Sequence, residues 1–301
     1  MAVNVGVIEA ILRLKDQFSE GMKKAAANAE GAGKRLGDVS KKATSVGKGL
    51  TMGVTAPLVG AGLAAVKFSN DLNEGMANVA SLIPGSTERV NELKGTVQEL
   101  AIATGSSTDD MADGLYNVIS ALGDTADTEK ILEINARAAA AGLATTTDAI
   151  NLTSAVTKGY GDTSAEATQR AADLAFTAVK LGQTTFPELA ASIGKVVPLS
   201  AELGVTQAEL FGVMGTATGV TGKATEVSTQ LRGVFQSLLA PTKDMAILYE
   251  KLGIESGHAM VEQHGLQGSL EIVTKAAQDS GIPLQKLIAS IEGQTLALAL
   301  A

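Results

Sequence analysis

The residue types that carry most protein chemistry are scarce in this chain, and those present are badly spaced. None of the 301 residues is a cysteine, which removes disulfides, thiolate metal sites and cysteine nucleophiles together. The two histidines, His258 and His264, stand six apart, a spacing that points them in different directions on one helix. No His-Glu-x-x-His pattern occurs, and a zinc site would need carboxylates for which no spacing speaks. Gly222-Lys223 in ATGVTGKA has the end of a phosphate loop. Ala217, however, replaces its first glycine and Ala224 its magnesium-binding hydroxyl, and no strand precedes it. No Gly-x-Ser-x-Gly elbow or dinucleotide-type glycine fingerprint is present. Asp109-Asp110 sits at a predicted helix start, where the helix dipole favours acids whatever their chemistry. Asn151-Leu-Thr153 fits a glycosylation acceptor but follows no secretion signal. The residues point to a non-enzymatic chain with no catalytic, cofactor-binding or metal-ligating residue.

Composition narrows the fold. Hydrophobic residues make up 45% of the chain but aromatics only 3%, with no Trp, so the apolar content is mainly Ala, Val, Leu and Ile. Such a composition favours closely packed helices over an aromatic-rich sheet. Glycines number 33 against 6 prolines, so many helices should stop on Gly. The expected class is all-α: a long amphipathic, coiled-coil-like N-terminal helix, then a compact array of short helices joined by Gly turns.

Charge divides the chain. Residues 1–50 hold nine basic side chains against five acids, a net +4, so within a total of −8 the remainder carries −12. A basic arm on an acidic body can meet an acidic partner. Phe18 is the arm's lone aromatic, so sequence-specific nucleic-acid recognition is not supported. Within the arm a nearly unbroken 3-4 spacing runs from Val5 to Leu50. Its apolar members Ile8, Leu12, Met22, Ala26, Ala29 and Leu36 form a candidate self-association face. Lys15, Ser19, Gly33, Ser40 and Gly47 weaken that seam. Two readings stay open, a partner-dependent coil and a surface helix lying on its own domain.

The arm meets the body at Leu50–Met76. From Leu50 to Val66 there is no charge, and Pro57, Gly60, Gly62 and Leu63 mark a candidate close-packing or membrane-contact junction. The stretch has about the ~17-residue minimum for a membrane span but holds three glycines, a proline and two threonines, which favours a buried helical hairpin. The expected domains are an arm over 1–50, a junction over 51–80 and an acidic multi-helix body over 81–301.

In the body a helix repeatedly ends on Gly, and a Ser or Thr starts the next with an acid three positions on. Ser107 with Asp110, Thr163 with Glu166, Thr185 with Glu188 and Thr206 with Glu209 are four such boxes. Thr146, Thr147 and Asp148 after Gly142 form a looser copy. The predicted helices run near 8–46, 57–80, 87–103, 108–122, 128–141, 147–158, 164–181, 186–196, 206–218, 224–239, 242–252, 268–279 and 284–300. The final LIASIEGQTLALALA stops mid-pattern, which reads as a truncation.

Several segments, in order, resemble the N-terminal conserved region of tailed-bacteriophage and prophage tail tape measure proteins. They are VTAPLVGAG (Val54–Gly62), FSNDLNEGMANV (Phe68–Val79), Glu99-Leu100-Ala101 with Thr104, GLYNVISALGDT (Gly114–Thr125) and YGDTSAEATQRAADL (Tyr160–Leu174). VVPLSAELGVTQAEL (Val196–Leu210), STQLRGVFQSLLAP (Ser228–Pro241) and Leu252-Gly253-Ile254 follow. The resemblance spans roughly residues 50–300, although tape measure proteins are usually much longer. It implies a structural protein that sits in the tail lumen as parallel copies, sets tube length, and leaves ahead of the DNA on infection. It implies partners in a second copy, the tail tube protein, tail assembly chaperones and tail tip or baseplate proteins. The implied locations are the virion tail and, during assembly, the host cytoplasm. A different class stays open, in which Leu50–Val66 touches the host membrane transiently as part of a pore for DNA entry.

Overall fold

A computed structural model describes residues 72–300, and every regular element among them is helical. The predicted helix 8–46, the start of helix 57–80, and both candidate faces on the arm and junction lie outside the described residues. The described residues divide into two compact units, one up to Ile150 and one from Asn151.

In the first unit the described helices are α1 (72–82), α2 (Thr87–Thr104), α3 (Thr108–Leu122), α4 (Thr128–Gly142) and the opening turns of α5 (Thr146–Gly159). Gly105 takes the left-handed conformation (φ 75°) that ends α2, and Ser107 then accepts from Asp110 N to start α3. Helices α2, α3 and α4 pack pairwise on one another. Their buried faces keep helical spacing: Leu93, Val97 and Ala101; Met111, Leu115 and Val118; Ile131, Leu132, Asn135 and Ala139. Small residues set the distances. A Cβ at Gly75 would lie 2.5 Å from Ala112 Cβ, and one at Gly114 would lie 2.5 Å from Thr146 Cγ2.

The second unit continues with α6 (Ala165–Leu181), α7 (Phe186–Ile193), α8 (Val197–Glu202), α9 (Gln207–Thr221) and α10 (Ala224–Leu239). It closes with α11 (Lys243–Leu252), α12 (Gly257–Ser280), a 3₁₀ turn at Leu284–Lys286 and α13 (Ile291–Leu300). Helix α10 is its centre and packs against α7, α8, α9, α12 and α13. Accordingly it is buried at Val227, Leu231, Val234, Phe235 and Leu238 but also at Ser228, Gln230 and Ser237, with Thr225, Thr229, Arg232 and Gln236 left exposed along one stripe.

Three predicted helices differ from those found. The expected helix 186–196 stops at Ile193, and a separate α8 starts at Val197 with Pro198 in its first turn. Proline has no N–H to continue a preceding ladder but fits a helix start. The expected helix 268–279 follows a break at Gly265 (φ 71°, ψ 173°), and a further helical segment that was not expected precedes it from Gly257, where Ser256 accepts from Ala259 N. The expected helix 284–300 is a 3₁₀ turn and a new helix, because Ser290 Oγ accepts from Gly293 N at 2.9 Å and restarts the chain. One box is displaced as well: the cap of α6 is Ser164, which accepts from Ala167 N, and not Thr163.

Candidate packing surfaces and polar sites

The boxes at Thr185 and Thr206 form with both halves present. The copy after Gly142 is Thr145 with Asp148, each side chain taking the other's backbone N–H at 3.0 and 3.2 Å. The acid of the Ser107 box goes elsewhere. Asp110 accepts from Thr146 N and Thr146 Oγ1 at 3.1 and 2.5 Å, so an acid at the start of α3 caps the start of α5. Glu209 serves two helices. Its Oε2 accepts from Thr206 N at 3.3 Å, and its Oε1 accepts from Leu266 N at 3.0 Å. Leu266 follows the one non-helical residue inside α12, Gly265 (φ 71°, ψ 173°), so Glu209 receives an N–H that the break leaves open.

The sequence-flagged residues occupy ordinary structural places. His258 and His264 are exposed, and His258 rests against Gly204, where a Cβ would lie 3.0 Å from its Nε2. Gly222 (φ 83°) ends α9, and Lys223 precedes α10 with its Nζ 3.9 Å from Glu226. The Gly-Lys pair is thus a turn between helices. Thr153 is buried inside α5, which removes Asn151-Leu-Thr153 from the exposed loops that glycosylation needs. Among the described residues, no group of three or more His, Asp or Glu is placed to hold a metal ion. No described helix is long and apolar enough to cross a membrane.

Two polar features were not legible in the sequence. In the first unit Arg89 of α2 holds Asp124 through paired bonds of 3.1 Å, with Glu129 of α4 at 2.7 Å and Glu92 at 3.3 Å. The bond to Asp124 holds the guanidinium proton more tightly than usual against the opposing effect of burial. The same bond pulls the Asp124 carboxyl below the ordinary carboxylate range. In the second unit Gln230 is 8% exposed, and its Oε1 is the one buried side-chain polar atom without a partner among the described residues. Gln230 is also one of the residues lining a cleft of about 450 Å³, with Lys195, Thr225, Glu226, Thr229 and Glu292. The buried hydroxyls of Thr218, Ser228, Ser237 and Thr274 each return to a carbonyl of their own helix. Two tyrosines are likewise satisfied: Tyr160 OH donates to Val205 O at 2.9 Å and Tyr249 OH to Leu238 O at 3.2 Å. Burial pushes the Tyr249 phenol up to about 12.

What remains is contact between helices through small residues. A Cβ at Gly182 would lie 2.5 Å from Gly215 O, and one at Gly215 would lie 3.1 Å from Ala178 O, so α6 and α9 meet backbone to backbone. Gly233 of α10 and Gly293 of α13 approach in the same way, with a Cβ on Gly293 falling 2.9 Å from Gly233 C. Each unit is a closely packed set of helices. Residues 94–292, about two thirds of the chain, match the phage-related minor tail protein family. The chain belongs to that family. It is also similar to the tape measure protein of Pneumococcus phage Dp-1, with 25% identity over 214 residues. That region is 70% of this chain and 18% of the relative, so the chain spans less than a fifth of the relative's length. No solved structure matches it. As a member of the minor tail family the chain has a structural role in the phage tail.

Proposed function

We propose that the chain is the N-terminal region of a tail tape measure protein, which fixes tube length during assembly and fills the tube lumen until it leaves with the DNA. The similarity to the Dp-1 tape measure protein across 70% of the chain carries this reading. The division of labour is a basic arm over 1–50 that associates with further copies, an apolar junction over 51–80, and an acidic body over 81–301. Copies lie parallel, and the tube protein, assembly chaperones and tip or baseplate proteins are the other partners. The role is mechanical rather than enzymatic. The close glycine and alanine contacts within the body are of the kind that lets helices lie side by side.

The test is tail length by electron microscopy after in-frame deletion of about 70 residues from the helical part of the full-length gene. A continuous helix rises ~1.5 Å per residue, so tails should shorten by roughly 100 Å. Unchanged length with lost infectivity would move the role to ejection. The charge-free stretch Leu50–Val66 supports a second reading, a membrane-inserting component for DNA passage. Binding of a 1–70 peptide to liposomes would favour it, and no binding would leave the lumenal reading alone.

A further inference from the structure

Helix α12 carries two sets of buried residues that a continuous helix could not bury together. Before its break they are Gly257, Met260 and Val261, and after it Leu266, Leu270, Val273 and Ala277. At ~100° per residue, their directions on one straight helix differ by about 180°. Gly265 resolves the conflict. Its φ of 71° with ψ of 173° belongs to a region that is essentially glycine's alone, and it lets both sets face the same unit. No other residue inside α12 departs from helical geometry, so the dihedrals of Gly265 separate the broken form from a straight one. The broken form is held from outside the helix. Gly265 has no side chain to cap the segment that follows it, and Glu209 Oε1 takes the Leu266 N–H instead, at 3.0 Å. The segment before the break is lightly fastened. Helix α11 buries only Met245 and Tyr249 among its ten residues, while Ile247 and Leu252 stay exposed. Tyr249 OH donates to Leu238 O, and Thr242 Oγ1 donates to Lys286 O.

We propose that residues 241–264 form a strap, hinged at Gly265 and latched by Glu209. On opening, the Leu266 N–H passes from Glu209 to the carbonyl of Glu262, four residues back, so it has a partner in either form. Gly265 takes helical dihedrals, and α12 becomes one helix of 24 residues, about 36 Å long. Its first half then points away from the unit, Met260 and Val261 enter solvent, and Tyr249 leaves Leu238 O. Helices α10 and α13 and the second half of α12 stay packed on one another. The device goes beyond the tape-measure reading and needs only the packing of the second unit.

The test uses the whole 301-residue chain, whose lack of cysteine lets spin labels be placed at will. Labels at Gln236→Cys and Glu250→Cys, exposed positions of α10 and α11, report the distance between strap and body by double electron–electron resonance. The wild-type background should give mainly a short distance, and Glu209→Ala a mixture of short and long. Gly265→Ala, whose Cβ would also lie 2.6 Å from Glu209 Oε1, should give the long distance at undiminished helical circular dichroism. A Gly265→Ala chain that keeps the short distance, or loses its helical signal, overturns the hinge. Hydrogen exchange tests the latch. Glu209→Ala should speed exchange over residues 241–264 together by at least about ten-fold, with α10 and α13 unchanged. Glu188→Ala removes a capping box whose two halves are both local, and should leave exchange in the strap as in wild type. Strap exchange that is unchanged in Glu209→Ala, or that rises equally across the whole unit, overturns the latch.

Discussion

Leu143 is the one non-glycine described residue with a positive φ, 51°, and it is 92% exposed at the C-cap of α4. A left-handed leucine brings its Cβ against the following carbonyl and here gains no burial in return. Leu143→Gly should therefore raise stability by about 0.5–1 kcal/mol, measured as a higher urea midpoint at unchanged m-value. Arg89 gives a pH prediction. Its bond lowers the folded Asp124 carboxyl, so the stabilisation is present above the ordinary carboxylate value and disappears as pH falls through the lower, folded one. Wild type should lose stability as pH drops from about 5 to 3, and Arg89→Met should show a flatter profile over that window. Both groups are partly exposed, so added salt should reduce the difference.

Between elements, glycine has two opposite uses. Gly293 lies against the α10 backbone, where a Cβ would fall 2.9 Å from Gly233 C, and neither backbone can move aside without opening the contact. Gly212, inside α9, has nothing within 4 Å of its would-be Cβ. Gly293→Ala should cost about 1–3 kcal/mol through overpacking. Gly212→Ala should stabilise by about 0.5–1 kcal/mol through helix propensity alone. Thermal unfolding of the two variants beside wild type checks both signs. The helix ends follow the same division between local and distant partners. Thr185 and Thr206 are capped by their own sequence neighbours, whereas the break in α12 is met by Glu209, 57 residues away.

For the whole chain, the proposed association of copies draws on charge more than on an apolar seam. The segment 1–50 and the remainder differ in sign, and the candidate coiled-coil positions include Lys15, Ser19 and Gly47. Self-association of the 301-residue chain should weaken steeply between low and about 0.5 M salt, as the Debye length falls below the reach of exposed charges. Light scattering across a salt series would detect this, and an oligomer of constant size would point to an apolar interface instead.

Much of the secondary structure was legible because it is written locally. A Ser or Thr with an acid three residues on, a Gly at the preceding stop, and apolar residues at helical spacing lie within a few positions of each other. They placed α2–α6, α10 and α11 to within a residue, and α9 to within three. The family was legible too, from the order of segments such as GLYNVISALGDT and VVPLSAELGVTQAEL. Tertiary structure decided what distant residues settle. It sent Asp110 across to Thr146, joined Glu209 to Leu266, gathered Arg89 with Asp124 and Glu129, and left Gln230 buried without a donor. A carboxylate or an amide has the same local sequence signature whether it meets water, its own helix or another. Only the packing of helices far apart in the chain selects among these partners.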